Sequence, residues 1–161
     1  MTITTDTTQV YRVFIKATPE AIWEAIVKPE WTERYGYGGR AQWDPELRPG
    51  ATYRALADPK MQAAGMPEVV VQGEVIAADP PRRLVQTWHA QWPPVEPPTR
   101  LTYEIEPGDG GVTQLTIIHD LAGAPELATM VSGGQEGAGG GWAMVLSDLK
   151  TLLETGQGMY A

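Results

Sequence analysis

The residue best suited to acid–base chemistry in this 161-residue chain is His119, because imidazole titrates nearest to neutral pH. It follows Leu115 and Ile117 at alternate positions of a predicted strand, so the three side chains should share the inner face of a sheet. There His119 could orient a ligand carbonyl or move a proton. The alternative is a structural histidine, hydrogen-bonded to backbone, Gln86 or Tyr103. We favour this alternative, because the sequence places no carboxylate or nucleophile beside the ring.

Other catalytic and metal-binding arrangements find no support in the sequence. The chain has no cysteine, which excludes disulfides and thiolate chemistry. His89 and His119 are predicted on opposite faces of the sheet, so a metal site using both is not expected. Neither Ser132 nor Ser147 lies in a Gly-x-Ser-x-Gly motif. The glycine-rich stretch 133–141 lacks the Lys-Ser/Thr ending of a phosphate loop, and whether it gates a pocket stays open. No cofactor and no metal are predicted.

Charge and composition restrict the partners of the chain. Lysine and arginine total 12 against 20 aspartates and glutamates, which gives a net charge of −8, and no basic run is present. Binding to nucleic acid or to an anionic membrane needs clustered cations, so neither is expected. The N-terminal residues show no secretory pattern, and no apolar stretch is long enough to cross a bilayer. Together with the lack of cysteine, this predicts a cytoplasmic protein, and nothing indicates an oligomeric state.

The elements that would position His119 follow from periodicity and turn chemistry. Alternation predicts a strand over residues 11–15, and Thr18 with Pro19 then begins a helix that is followed by a second short one from Pro29. Short strands separated by Gly- and Pro-rich turns make up the middle of the chain. They are predicted near 41–43, 52–57, 69–78, 84–92, 100–106 and 112–121. Successive strands on short connections indicate an antiparallel meander.

The clearest element is an amphipathic helix near the C-terminus. Its apolar side chains recur at helical spacing and end before Gly156, at Trp142, Val145, Leu146, Leu149, Leu152 and Leu153. A sheet with one apolar face needs a cover, and this helix is long enough to provide it. The sequence thus predicts one domain over residues 10–156, with a frayed N-terminus over 1–9 and a tail over 157–161.

Four stretches resemble one known family. They are ATPEAIW at 17–23; GEV at 73–75 leading to DPPRRL at 79–84 and TW at 87–88; LTIIH at 115–119; and GW at 141–142 followed by Leu146, Leu149, Lys150 and Leu153. The chain resembles the bacterial branch of the family named for the activator of the heat-shock chaperone ATPase. That family belongs to the superfamily of the birch pollen allergen, the steroidogenic-acute-regulatory lipid-transfer domains and the polyketide cyclases (SRPBCC).

The resemblance implies an α+β helix-grip fold, in which a curved antiparallel sheet of six to seven strands wraps around a long C-terminal helix, with two short helices after the first strand. It also implies a cavity. Two departures are visible. Asp44 is displaced by three residues from the turn at Arg48, which lacks the family's Arg-x-Gly-Gly pattern. The chaperone activators of eukaryotes also carry a chaperone-binding N-terminal domain, for which this chain has no room.

The inner face of the predicted sheet and the apolar stripe of the final helix define a candidate ligand site. Its residues are Trp31, Tyr35, Tyr53, Val71, Gln86, Trp88, Leu101, Tyr103, Ile117, His119, Leu146 and Leu149. The main hypothesis is a module that binds a small apolar or amphipathic molecule. Two alternatives stay open: a cyclase- or dehydratase-type enzyme with His119 or Tyr103 as proton carrier, and a chaperone-interacting protein.

Overall fold

Seven strands and five helices lie within the residues that the computed structural model describes, which are 8–36, 39–91, 98–134 and 140–160. The strands are β1 (Thr8–Ile15), β2 (Arg40–Gln42), β3 (Thr52–Leu56), β4 (Val69–Asp79), β5 (Arg83–Ala90), β6 (Thr99–Pro107) and β7 (Thr113–Asp120). The helices are α1 (Pro19–Val27), α2 (Pro29–Thr32), α3 (Pro59–Ala63), α4 (Pro125–Val131) and α5 (Gly141–Thr155), and a 3-10 turn spans Asp109–Gly111.

The strands form one antiparallel sheet in the order β1-β7-β6-β5-β4-β3-β2. Consecutive strands are neighbours from β2 to β7, and β1 closes the far edge against β7. Every predicted strand is present, so the predicted meander and the α+β helix-grip fold are confirmed. β1 begins at Thr8, two residues before the predicted start of the domain, and the predicted end of β5 at Trp92 lies outside the described residues.

Helix α5 covers the concave face of the sheet. Leu146, Leu149 and Leu152 are almost fully buried, at 4, 2 and 1% exposure, which confirms the predicted apolar stripe. Gly156 ends the helix with a φ of +88°, a conformation that glycine adopts at little cost. Beyond it, the backbone N–H of Met159 donates a hydrogen bond to Asp148 in α5 over 2.7 Å, so the segment predicted as a tail is held against the helix. None of the helices in the described part of the chain is long and apolar enough to cross a membrane.

Two short helices were missing from the sequence prediction. In α3, Asp58 accepts a hydrogen bond from the backbone N–H of Met61 and Pro59 occupies the first turn. In α4, Pro125 again begins the helix, and Leu127 and Val131 are buried one turn apart. The Asp58 cap of α3 and the proline that begins each helix are the signals that could have revealed them. At five and seven residues, however, both helices are too short to show a helical period.

Strands β4 and β5 leave no room for a side chain at Gly73. A Cβ atom built at this position would lie 1.9 Å from the carbonyl oxygen of Thr87 and 2.9 Å from its hydroxyl. The backbone N–H of Glu74 donates to that same hydroxyl over 2.8 Å, and the strand register shifts between Val75 and Ala77. A register shift of this kind bends a strand and increases its twist. The point where only glycine fits is thus followed, two residues later, by the irregularity that bends the strand.

Replacing Gly73 with alanine should destabilise the protein strongly. The added methyl group must displace backbone rather than a flexible side chain, so we expect a loss of roughly 1–3 kcal/mol or more in the free energy of unfolding. The matched control is Glu74→Ala at the exposed neighbouring position, which should change it by about 0.5 kcal/mol or less. Urea unfolding of the three proteins measures both effects. Equal midpoints for the two variants would contradict the close approach at Gly73.

Candidate functional site

A cavity of about 530 Å³ lies between the curved sheet and α5. This volume is within the range of small-molecule sites. The lining is mostly apolar, and among the described residues that line it none carries a charged side chain. Six aromatic side chains contribute to the wall: Tyr35, Trp43, Tyr53, Trp88, Tyr103 and Trp142.

The structure brings most of the predicted site residues to this cavity. The residues that line it are Tyr35, Tyr53, Val71, Trp88, Tyr103, Ile117, Leu146 and Leu149. They come from five strands, β3 to β7, from α5 and from the segment after α2, so the predicted inner face is assembled in one place. Their role as ligand-binding residues stays a prediction.

Four predicted residues are placed elsewhere. Leu101 and Gln86 are buried, at 0 and 1% exposure, but lie in the packed part of the core outside the cavity lining. Trp31 is half-buried against the core, and the guanidinium of Arg34 lies 4.9 Å from the centre of its ring. His119 is fully buried and also lies outside the lining.

Both ring nitrogens of His119 have a partner. The indole N–H of Trp142 donates to His119 Nδ1 over 3.0 Å, and His119 Nε2 lies 2.8 Å from the hydroxyl of Thr99. Because an indole nitrogen can only donate, Nδ1 must be the unprotonated nitrogen. The neutral ring therefore carries its proton on Nε2 and donates it to Thr99, whose hydroxyl in turn donates to the carbonyl of Trp88 over 3.0 Å. The partners expected for a structural histidine, Gln86 and Tyr103, are replaced by Thr99 and Trp142.

This environment keeps the imidazole of His119 neutral. Burial lowers its pKa from 6.5 to about 4, and the carboxylate of Asp120 offsets only part of the shift. Protonation at Nδ1 would also break the hydrogen bond from Trp142. The ring therefore connects strands and helix through a neutral hydrogen-bond chain and is poorly suited to proton transfer near neutral pH.

Three tyrosines surround one part of the cavity. The hydroxyl of Tyr35 donates to the carbonyl of Ala25 over 2.8 Å. Burial raises the pKa of Tyr35, Tyr53 and Tyr103 above the usual value, and the nearby phenol of Tyr53 adds to the shift of Tyr35 and Tyr103. All three hydroxyls therefore stay protonated at neutral pH, so none of them is a ready base.

Several residues that line the cavity were not predicted from the sequence as site residues. Trp43 follows β2 and stacks on Tyr53 with ring centres 4.2 Å apart. Trp142 was assigned to the helix stripe only, although it also reaches the cavity and His119. Further lining residues come from α4 and from the segment that starts with α3: Met61, Met66, Leu127, Met130 and Val131. Because those two helices were not predicted, there was no reason to place these side chains near the sheet.

Metal coordination is not supported by the arrangement. Within the ranges that the structure describes, no group of three histidine, aspartate or glutamate side chains converges closely enough to hold an ion. A bound molecule would therefore contact apolar and neutral polar groups.

Comparison with known proteins gives a family match and several similar folds. Residues 16–154 match the family model described as Activator of Hsp90 ATPase homolog 1-like protein. Similar solved structures include CalU16 from Micromonospora echinospora, which is 20% identical with a TM-score of 0.62 over 92% of this chain and 76% of its own. DynU16, a putative protein of the dynemicin biosynthetic locus, is 21% identical with a TM-score of 0.67 over 95% of this chain.

The chain spans about half of DynU16, because only 49% of that protein is covered. PFC0360w, an HSP90 activator from Plasmodium falciparum, is 16% identical with a TM-score of 0.63 over 92% of this chain and 96% of its own. At these identities the structural likeness shows the fold alone. No curated protein matches the sequence.

The low pKa of His119 makes stability depend on pH. The unfolded histidine takes up a proton near pH 6.5, whereas the folded one resists protonation down to about pH 4. Stability from this residue is thus fully present above pH 6.5 and is lost as the pH falls towards 4, by roughly 3 kcal/mol in total.

The variant His119→Gln keeps part of the shape and the hydrogen bonding but cannot titrate. Urea unfolding of both proteins between pH 4 and pH 7.5 tests the linkage, because carboxylates contribute equally to both curves. The stability of the original chain should fall more steeply than that of the variant. Parallel curves would show that His119 titrates normally in the folded protein.

Proposed function

The chain belongs to the Activator of Hsp90 ATPase homolog 1-like family, and we propose that it is a binding module that holds a small hydrophobic or amphipathic molecule between the sheet and α5. The cavity of about 530 Å³, with its aromatic and aliphatic wall, carries this proposal. At about 25 cal/mol per Å², a ligand that loses about 300 Å² of apolar surface gains about 7.5 kcal/mol before the cost of association is subtracted. Apolar burial can therefore supply a large part of the binding free energy.

Binding fits the geometry better than catalysis by proton transfer. The enzyme alternative required His119 or Tyr103 as a proton carrier. Both nitrogens of His119 are engaged and its pKa lies near 4, and the pKa of Tyr103 is raised well above the usual value. Neither group is poised to exchange a proton near neutral pH.

The partner is thus a small molecule rather than a polyanion. The net charge of −8 opposes nucleic acid and anionic membranes, and a cytoplasmic location agrees with the absence of cysteine. The likeness to an HSP90 activator concerns the fold, and none of the contacts described above favours a chaperone-binding role over a pocket.

Filling the cavity should abolish binding of an apolar probe. The probe is N-phenyl-1-naphthylamine, whose fluorescence rises on leaving water. Val71 lines the cavity from β4, so Val71→Trp places an indole inside it. We expect the affinity for the probe to fall roughly tenfold or more, which corresponds to about 1.4 kcal/mol.

The matched control is Gln72→Trp, because successive side chains of a strand point to opposite faces. This variant should bind the probe as the original chain does. Circular dichroism and urea unfolding establish that both variants are folded. If neither the original chain nor Gln72→Trp binds the probe, or if Val71→Trp binds it equally well, the cavity is not the binding site.

A further inference from the structure

We propose that the ligand is electrically neutral and carries a carbonyl-type oxygen that accepts hydrogen bonds from Tyr53 and Tyr103. This inference rests on the proposed function, because it specifies the chemical class of molecule that the same cavity holds. It follows from hydrogen-bond donors in the cavity wall that the protein leaves without an acceptor.

The phenols of Tyr53 and Tyr103 are the first of these donors. Both side chains line the cavity, yet neither hydroxyl has a hydrogen-bond partner among the residues that the structure describes. The hydroxyl of Tyr35 differs, since it is committed to the carbonyl of Ala25. Burial keeps Tyr53 and Tyr103 protonated, so both present an O–H to whatever enters.

The indole of Trp43 adds a third donor in the same wall. Its Nε1 is buried and unpartnered in the described structure, and its ring lies 4.2 Å from that of Tyr53. An indole N–H can only donate, so it too requires an acceptor. Buried polar groups are rarely left unsatisfied in native proteins, because the desolvation cost is then not recovered. The nitrogen itself is closed off from the cavity space, so the inference rests on the two phenols.

The charge distribution indicates that the ligand is neutral. No described residue that lines the cavity is a cation, so a buried carboxylate or phosphate would have no counter-ion. The carboxylate of Asp148 lies directly behind the lining and accepts hydrogen bonds from the backbone N–H groups of Gly36 and Met159, over 2.8 and 2.7 Å. Its negative charge opposes an anionic ligand further. Asp148 does not itself line the cavity, so it offers no direct contact to a cationic ligand.

A matched set of tricyclic compounds tests separately whether the ligand needs a hydrogen-bond acceptor and whether it must be uncharged. Fluorene, 9-fluorenone, fluorene-9-carboxylate and 9-aminofluorene share one carbon skeleton and differ in a hydrogen-bond acceptor or a charge. Each competes with N-phenyl-1-naphthylamine for the folded chain. We expect fluorenone to bind roughly two- to tenfold more tightly than fluorene for each hydrogen bond it accepts. The carboxylate and the protonated amine should bind more weakly than either neutral compound.

The variants Tyr53→Phe and Tyr103→Phe remove one donor each without changing the shape of the ring. Each should lower the affinity for fluorenone while leaving that for fluorene unchanged. Tyr11→Phe is the control, because Tyr11 lies outside the lining and donates to Gln9. A spectroscopic readout accompanies the affinities: the carbonyl stretch of bound fluorenone should shift to lower frequency in the original chain and move back in the two cavity variants.

The outcomes distinguish this inference from the function on which it rests. Equal affinities for fluorene and fluorenone, with no change of the carbonyl stretch in Tyr53→Phe or Tyr103→Phe, would overturn the inference and leave the binding module intact. Tightest binding of the carboxylate or the amine would overturn it as well. If the probe and all four compounds fail to bind, the proposed function fails together with the inference.

Discussion

The contact between β4 and β5 at Gly73 sets the shape on which the rest of the molecule depends. With no side chain at that position, the two backbones approach so closely that a methyl group would overlap the carbonyl of Thr87. The register shift that follows bends the sheet around α5. A single helix can cover a face curved in this way, but it contacts that face along one stripe only. The space left between sheet and helix is the cavity, and Leu146 and Leu149 of the stripe form part of its wall.

A chain of neutral hydrogen bonds fixes the helix over that pocket. It runs from Trp142 in α5 to His119 in β7, from there to Thr99 in β6, and ends at the carbonyl of Trp88 in β5. The rings of Trp88 and His119 also pack edge to face, with centres 5.2 Å apart. The hydrogen bonds that hold helix and sheet together therefore engage both ring nitrogens of His119, the residue best suited to acid–base chemistry. Proton transfer by His119 would need this network to break.

Helical spacing predicted the apolar stripe on α5. Alternation predicted the seven strands and the cavity-lining positions of β3 to β7, because it decides which face of the sheet a side chain occupies. It does not decide how deep the side chain lies. Leu101 and Gln86 share the inner face with Tyr103 and Trp88, yet they are packed into the core rather than lining the cavity. The hydrogen bond between His119 and Trp142 could not be predicted either, because the two residues are 23 positions apart and meet only when α5 packs onto the sheet.

Native mass spectrometry of the freshly purified chain detects a non-covalent occupant of the cavity without assuming its identity. If the cavity holds a ligand, a fraction of the protein should appear at a mass above that of the polypeptide. The excess should be released intact by mild collisional activation and should correspond to one small neutral molecule per chain. Incubation with 9-fluorenone should then convert empty chains to a one-to-one complex. A spectrum that shows only the bare polypeptide, both before and after that incubation, would contradict the claim that this cavity binds a ligand.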